Sequence, residues 1–302
     1  MKPRAVVLLN AAAGSVASTG VAAVGVRVSN ALARSGLAAD VRPVDSRSVA
    51  AEVRAAVAAR PAVVIVGGGD GTLSSAAGVL AGGPTPLGIL PLGTKNHFAR
   101  DLGLPLDVEA AAGVIAAGRV RRVDVGEVNG RVFLNNCSLG VYPDLVRDRE
   151  TQKTREDRGR GPAMLRASWN ALRRFRVRTV TLRADGRVWR VTTPLVFVGN
   201  NRYETRLPAL GRRNALEDGQ LWLYVARDVS RLGIVRLGAR MLLGRLERAR
   251  DFEALSATEL ELRTRRSHLR LAVDGEVLPM VSPVRWRVRP EALAVLATAE
   301  PS

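Results

Sequence analysis

Residues 61–83 read "PAVVIVGGGDGTLSSAAGVLAGG". An unbroken apolar run, 62–66, ends in three glycines, and a helical pattern follows until the glycine pair at 82–83. Such a run is too short for a buried helix and reads as a strand covered on both faces. Glycines at the carboxyl end of a strand let backbone N–H groups approach an anion closely. The helix opening near Thr72 adds free N–H groups and a positive dipole end. Asp70 stands inside this phosphate-friendly turn, where a bare carboxylate would repel phosphate unless a metal lay between them. No Gly-Lys-Ser/Thr follows the glycines, so this is no Walker loop, and no GxGxxG with a later acidic residue marks a dinucleotide fingerprint.

Outward from this stretch the same alternation repeats. Strands are predicted at 5–10, 38–44, 62–67 and 86–93, and helices at 18–35, 48–59, 72–82 and 108–118. Alternating apolar strands and helices imply a parallel sheet covered on both faces, with ligands at the carboxyl ends of its strands. Beyond residue 120 the pattern changes to paired strands around Asn129-Gly130 and Asp185-Gly186, and further strands over 219–228, 259–280 and 284–290. Asx-Gly between alternating runs is the strongest short hairpin signal. Two stretches, 161–176 and 229–250, read as helices that pack an apolar face on the sheet. Their arginines also allow a second reading, a basic amphipathic helix lying on an anionic membrane. Residues 147–160 read as a solvated, charge-dense loop.

The chain has 302 residues and a formal net charge of +18. Lysine occurs at Lys2, Lys95 and Lys153 alone, so the positive charge is almost entirely arginine. The charge excess favours an anionic partner. Aromatic residues make up only 4%, which disfavours a protein that stacks single-stranded bases. One cysteine, Cys137, excludes an intrachain disulfide and a cysteine-only metal cluster, and two histidines make a His-based metal site a poor expectation. No apolar stretch approaches the length of a transmembrane helix. "AVVLL" at 5–9 is short for the core of a signal peptide and reads better as a first buried strand.

A second candidate site is "PLGTKNHFARDLGLP" at 91–105, where Gly93 and Thr94 offer another tight turn and Lys95 a cation within reach of phosphate. GGGDGT followed by GTKNHFAR, with "NAAAGS" near the N-terminus and "VDGE" near the C-terminus, resembles the bacterial diacylglycerol and lipid kinases, relatives of sphingosine kinases and more remotely of NAD kinases. The resemblance covers nearly the whole chain. It implies an α/β ATP-binding domain with a parallel sheet, residues 1–125, and a mainly antiparallel β-sandwich domain for the lipid, residues 126–290, with 291–302 free to return to the first. It implies ATP and Mg²⁺ as cofactors and phosphoryl transfer to a lipid hydroxyl.

Carried over by position, Gly68, Gly69, Asp70, Gly71, Thr72, Gly93, Thr94 and Asn96 would hold the nucleotide. Asp70 would act through magnesium, Asp124 would join that network, and Glu276 would be the general base. Ala215, Asp218 and Gln220 would hold a second, structural Mg²⁺. By residue type alone Glu276 is an ordinary residue beside an Asp-Gly hairpin. The chain departs from the family at His97, where Asp is common, at Ser74 and Ser75, where Asn-Glu is common, and near Val44 and Ser46, where a nucleotide-contacting Thr has no clear counterpart. Expected partners are a lipid substrate and an anionic membrane surface approached from the cytoplasm, with no nucleic acid; a homodimer stays open. The alternatives are a kinase of a soluble substrate and a non-catalytic nucleotide-binding relative.

Overall fold

The computed structural model describes residues 4–140, 177–205, 211–227 and 251–298, with 230, 233, 236, 237 and 240 singly between them. The expected loop at 147–160 and helix at 161–176 lie outside the described residues, as does most of the expected helix at 229–250.

Strands β1 (Arg4–Asn10), β2 (Ala38–Val44), β3 (Val63–Gly68) and β4 (Leu87–Pro91) form a parallel array in the order β2-β1-β3-β4. Side chains alternate across the strands, and this divides the first half's core in two. Val6, Leu8, Val64 and Val66 pack on α3 (Val49–Ala58) and α4 (Asp70–Leu80). Val7, Leu9 and Ile65 pack on α2 (Val21–Arg34) and α6 (Val108–Ala117). Both faces are covered, which is why these strands are apolar throughout. The helix expected at 18–35 begins earlier and is broken: α1 (Gly14–Thr19) ends at Gly20, whose φ of 91° no ordinary helix continues. α5 (His97–Asp101) is a single short turn after the second motif.

The second half is built from antiparallel strands: β5 (Val120–Val128), β6 (Arg131–Phe133), β7 (Asn136–Gly140), β8 (Arg178–Ala184), β9 (Arg187–Thr193), β10 (Leu195–Asn200), β11 (Leu221–Ala226), β12 (Phe252–Ala257), β13 (Glu259–Arg263), β14 (His268–Val273), β15 (Glu276–Val281) and β16 (Val284–Leu296). Asn129-Gly130, Asp185-Gly186 and Asp274-Gly275 all have positive φ at both positions, as two-residue hairpin turns require. Six strands form one sheet in the order β12-β11-β10-β7-β14-β15. It packs on β16, β13, β8 and β9 around a core that includes Phe133, Cys137, Leu182, Val198, Leu271 and Trp286. Burial pushes the Cys137 thiol up to about 12, so this cysteine is a packed apolar group rather than a reactive one.

Two features of the tertiary structure differ from the sequence reading. Strand β12 was not expected. The strand expected at 284–290 continues to Leu296 past an irregularity between Arg289 and Leu293. Near its start β16 pairs with β13, and near its end Val295 pairs in parallel with Leu87 of β4. It also pairs with β5 along most of its length. The parallel array and half of the sandwich are therefore one ten-stranded sheet. The architecture is a mostly parallel α/β N-terminal half joined to an all-antiparallel β C-terminal half.

Candidate active site

In the order β2-β1-β3-β4 the chain leaves β1 toward one side and β3 toward the other, so a crevice opens at the carboxyl ends of β1 and β3. Three loops converge there. Asn10, at the end of β1, donates from Nδ2 to Thr72 Oγ1 at 2.8 Å, and its Oδ1 accepts from Ser46 Oγ at 3.0 Å and from the Ala12 N–H. "NAAAGS", "VDSRS" and GGGDGT are thus tied through one buried amide.

The two glycine turns pack backbone against backbone. A Cβ on Gly69 would stand 3.3 Å from Gly93 Cα, and one on Gly93 would stand 3.1 Å from Gly69 N. The close approach explains why both motifs need glycine here. Gly68 has no room for a side chain either, since a Cβ would meet Thr72 within 2.7 Å. Thr94 lies beside Gly14 on the neighbouring loop. Asn96 is buried in the left-handed region with φ of 51°. Its side chain accepts from Gly93 N and donates to the Pro91 and Gly93 carbonyls. Asn96, expected among the nucleotide contacts, makes these bonds within its own loop, which it folds.

Asp70 opens α4 and faces the start of α5. Its carboxylate accepts from His97 N at 3.1 Å and Phe98 N at 2.9 Å, and Asn135 Nδ2 lies 3.4 Å from Oδ1. The residue at position 97 holds Asp70 through its backbone N–H, a contact independent of side-chain type. Asn135 is oriented from its other end. Arg213, wholly buried, donates from a terminal nitrogen to Asn135 Oδ1 at 2.7 Å. A guanidinium only donates, so the oxygen of Asn135 must face Arg213 and its NH₂ must face Asp70. Arg213 also donates to Asp101 at 2.8 Å and to the Leu134 and Asn200 carbonyls.

The chain of contacts continues into the second half. The Asp274 carboxylate accepts from the Leu134, Asn135 and Asn136 N–H groups at 2.7, 2.8 and 3.0 Å. Burial pushes its carboxyl above the ordinary value, opposed by these donors and by Ser74 of α4. Glu276, two residues on, is exposed and pairs with Arg131 at 2.6 Å. Asp70, Asn135 and Asp274 therefore join the GGGDGT turn to the DGE turn across the two halves.

Asp124, expected beside Asp70, makes its contacts elsewhere. It is 1% exposed, and its oxygens accept from Gly219 N at 2.7 Å and Glu291 N at 2.8 Å. It braces the loop that carries Ala215, Asp218 and Gln220. Asp218 is exposed, and the Gln220 carbonyl accepts from Asn201 N. Asn201 itself is fully buried with both side-chain polar atoms unpartnered. Among the described residues no three His, Cys, Asp or Glu side chains converge. Among the described residues a divalent ion would then rest on at most two such side chains, completed by carbonyls, water or phosphate. Asp70 and the 215–220 loop both offer such all-oxygen sets, which suit hard Mg²⁺.

Residues 4–128 match the diacylglycerol kinase catalytic domain, and residues 147–297 match the YegS C-terminal NAD kinase beta sandwich-like domain. The chain belongs to the bacterial diacylglycerol and YegS-like lipid kinase family. A family member from Bacillus subtilis, a diacylglycerol kinase, is 30% identical over 186 residues, which are 60% of this chain and 60% of that protein. A diacylglycerol kinase of Staphylococcus aureus is 28% identical over 227 residues, 71% of this chain and 68% of its own length. A Pseudomonas aeruginosa protein named a probable lipid kinase YegS-like is 46% identical over 98 residues, only 31% of its length. The fold of a crystal structure of a diacylglycerol kinase from Bacillus anthracis matches with a TM-score of 0.70 at 19% identity, covering 98% of this chain and 97% of that one.

Arg213, Asn135, Asp101 and Asp274 escaped the sequence reading as site residues. Asp101 and Asp274 lie within stretches already singled out, and Arg213 and Asn135 within a few positions of others. Their partners come from distant segments, such as Asp101 and Arg213, so spacing carried no signal.

Proposed function

We propose that this protein is an ATP-dependent kinase of a lipid hydroxyl, working in the cytoplasm at an anionic membrane surface. The observation that carries the reading is the contact chain Asp70–Asn135–Asp274, which links the glycine-rich turn to the turn bearing Glu276. In this reading the backbone of Gly68, Gly69, Gly71 and Thr94, with the free N–H groups of α4, receives the nucleotide phosphates, and Gly93, whose own backbone is held by Asn96, lets the two turns approach closely enough to do so. Thr72, fixed by Asn10, lines the same loop.

Asp70 would hold magnesium, which when bound supplies neutralisation of phosphate charge. Glu276 would accept the proton of the attacking hydroxyl, and Arg131 holds its carboxylate until the acceptor arrives. Asp124 keeps the 215–220 loop in shape for its structural ion, which Asp218 and the Ala215 and Gln220 carbonyls would ligate.

The test is transfer of radiolabelled γ-phosphate from ATP to a total lipid extract, with mass detection of the product. Asp70→Asn and Glu276→Gln are each expected to lower transfer by about a thousandfold or more, Glu276→Gln with an unchanged melting curve and Asp70→Asn with a loss of about 1–3 kcal/mol, since its amide NH₂ would face an N–H donor. Label appearing only in NAD or another soluble acceptor would sink the lipid reading. Near-normal activity in either variant would remove the role given to that residue.

A further inference from the structure

The solvent face of β8, β9 and β13 carries a charge pattern that the catalytic reading does not use. Arg263 stands opposite Thr181, and Thr181 opposite Arg190, so all three project from one face in one row. The loop after β13 adds Arg265 and Arg266. With Arg178 these residues line a groove of about 600 Å³. Toward β16 the same face is neutralised: Glu127 pairs with Arg287, and Glu261 with both Arg285 and Arg263. Among the described residues Arg190, Arg265 and Arg266 have no such counter-charge. Val188 on the same face is 53% exposed, and Val177 at the groove is 46% exposed.

We propose that this face is the surface on which the protein docks to bilayers rich in anionic phospholipid. Arg190, Arg265 and Arg266, which line one groove with no carboxylate partner among the described residues, call for an anionic partner, and the guanidinium fork fits phosphate oxygens. No aromatic side chain lines the groove to stack a base, which argues against nucleic acid. A flat strand face with exposed valines among its arginines suits headgroups above and the acyl boundary below. The proposal deepens the membrane-docking part of the proposed function by naming its surface. It rests on that part and is independent of the roles given to Asp70 and Glu276. β14 separates the groove from the Asp274 turn by roughly 20 Å, so substitutions here leave the candidate active site untouched.

The experiment is co-sedimentation of the full chain with phosphatidylcholine vesicles and with phosphatidylcholine–phosphatidylglycerol vesicles, at low and high salt. Arg190→Gln/Arg265→Gln/Arg266→Gln is compared with Arg34→Gln/Arg60→Gln/Arg119→Gln, which removes the same charge from other exposed positions. The first triple is expected to weaken binding to phosphatidylglycerol vesicles about a hundredfold at low salt, and the second about tenfold less. Wild-type binding is expected to fall as salt rises. Equal losses in the two triples would reduce the effect to net charge and overturn the surface. Unchanged binding of the first triple would overturn it too, while leaving membrane docking through another face intact. A wild-type protein that ignores phosphatidylglycerol would remove membrane docking itself. Binding of a single-stranded RNA oligomer through these three arginines, with none to vesicles, would make the groove a nucleic-acid site and end the proposal.

Discussion

At the scale of single residues, Arg213 is the unexpected centre of the molecule. Its guanidinium is fully buried, and its partner Asp101 is 6% exposed. Removing one member of such a pair leaves the other charged and dry. Arg213→Met is expected to destabilise the fold by about 3–5 kcal/mol, measured by urea unfolding. Asp101→Asn/Arg213→Met is expected to recover part of that loss, since no lone charge remains. The residue also decides which end of Asn135 meets Asp70, so Arg213→Met should lower turnover beyond what its stability predicts. A variant with wild-type stability would show that the pair is dispensable.

At the scale of elements, the packing of the two glycine turns sets a sharp contrast. Gly93→Ala places a methyl against the Gly69 backbone and Asn96. The expected loss is about 1–3 kcal/mol, together with weaker nucleotide binding by calorimetry. Gly113→Ala, inside α6 with nothing within 4 Å of the new methyl, is expected to gain about 0.5–1 kcal/mol.

The ladder between β13 and β16 gives a pH dependence. Hydrogen bonds from Arg263 and Arg285 hold the Glu261 carboxyl down to about 2, below its ordinary 4.5. A depressed folded-state value means stability that is present above pH 4.5 and lost as pH falls toward 2. The arginines are exposed, so the effect is about 1 kcal/mol or less. Thermal melts of Glu261→Gln should show a smaller loss of melting temperature across this window than the wild type. Parallel curves would exclude the effect.

At the scale of the whole molecule, the ten-stranded sheet matters most. β5 and β16 run from the parallel array into the sandwich, so neither half has a complete sheet without the other. The halves are expected to unfold in one transition. All four tryptophans lie beyond residue 168, whereas α1–α6 lie before residue 118. Tryptophan fluorescence and the amide NMR signals of α1–α6 thus report different halves, and their urea midpoints should coincide. Separated midpoints would show two independent domains.

The residues themselves determined the local matters. Apolar runs of strand length marked β1, β3 and β4, because a strand buried on both faces cannot carry polar side chains. Asx-Gly pairs marked three hairpins, because few other residues accept positive φ. The glycine turns and the DGE motif pointed to phosphate chemistry through the backbone freedom and the carboxylates that it needs. Tertiary structure alone decided the rest. The inward turn of Asn96 depends on the left-handed backbone of its own loop. Asp124 met Gly219 and Glu291, and Arg213 met Asp101 and Asn135, because each of those partners is brought in from a distant segment. The long reach of β16 was hidden for the same reason. Its register against β4, β5 and β13 depends on which edges those strands leave open, and an edge exists only once the sheet has formed.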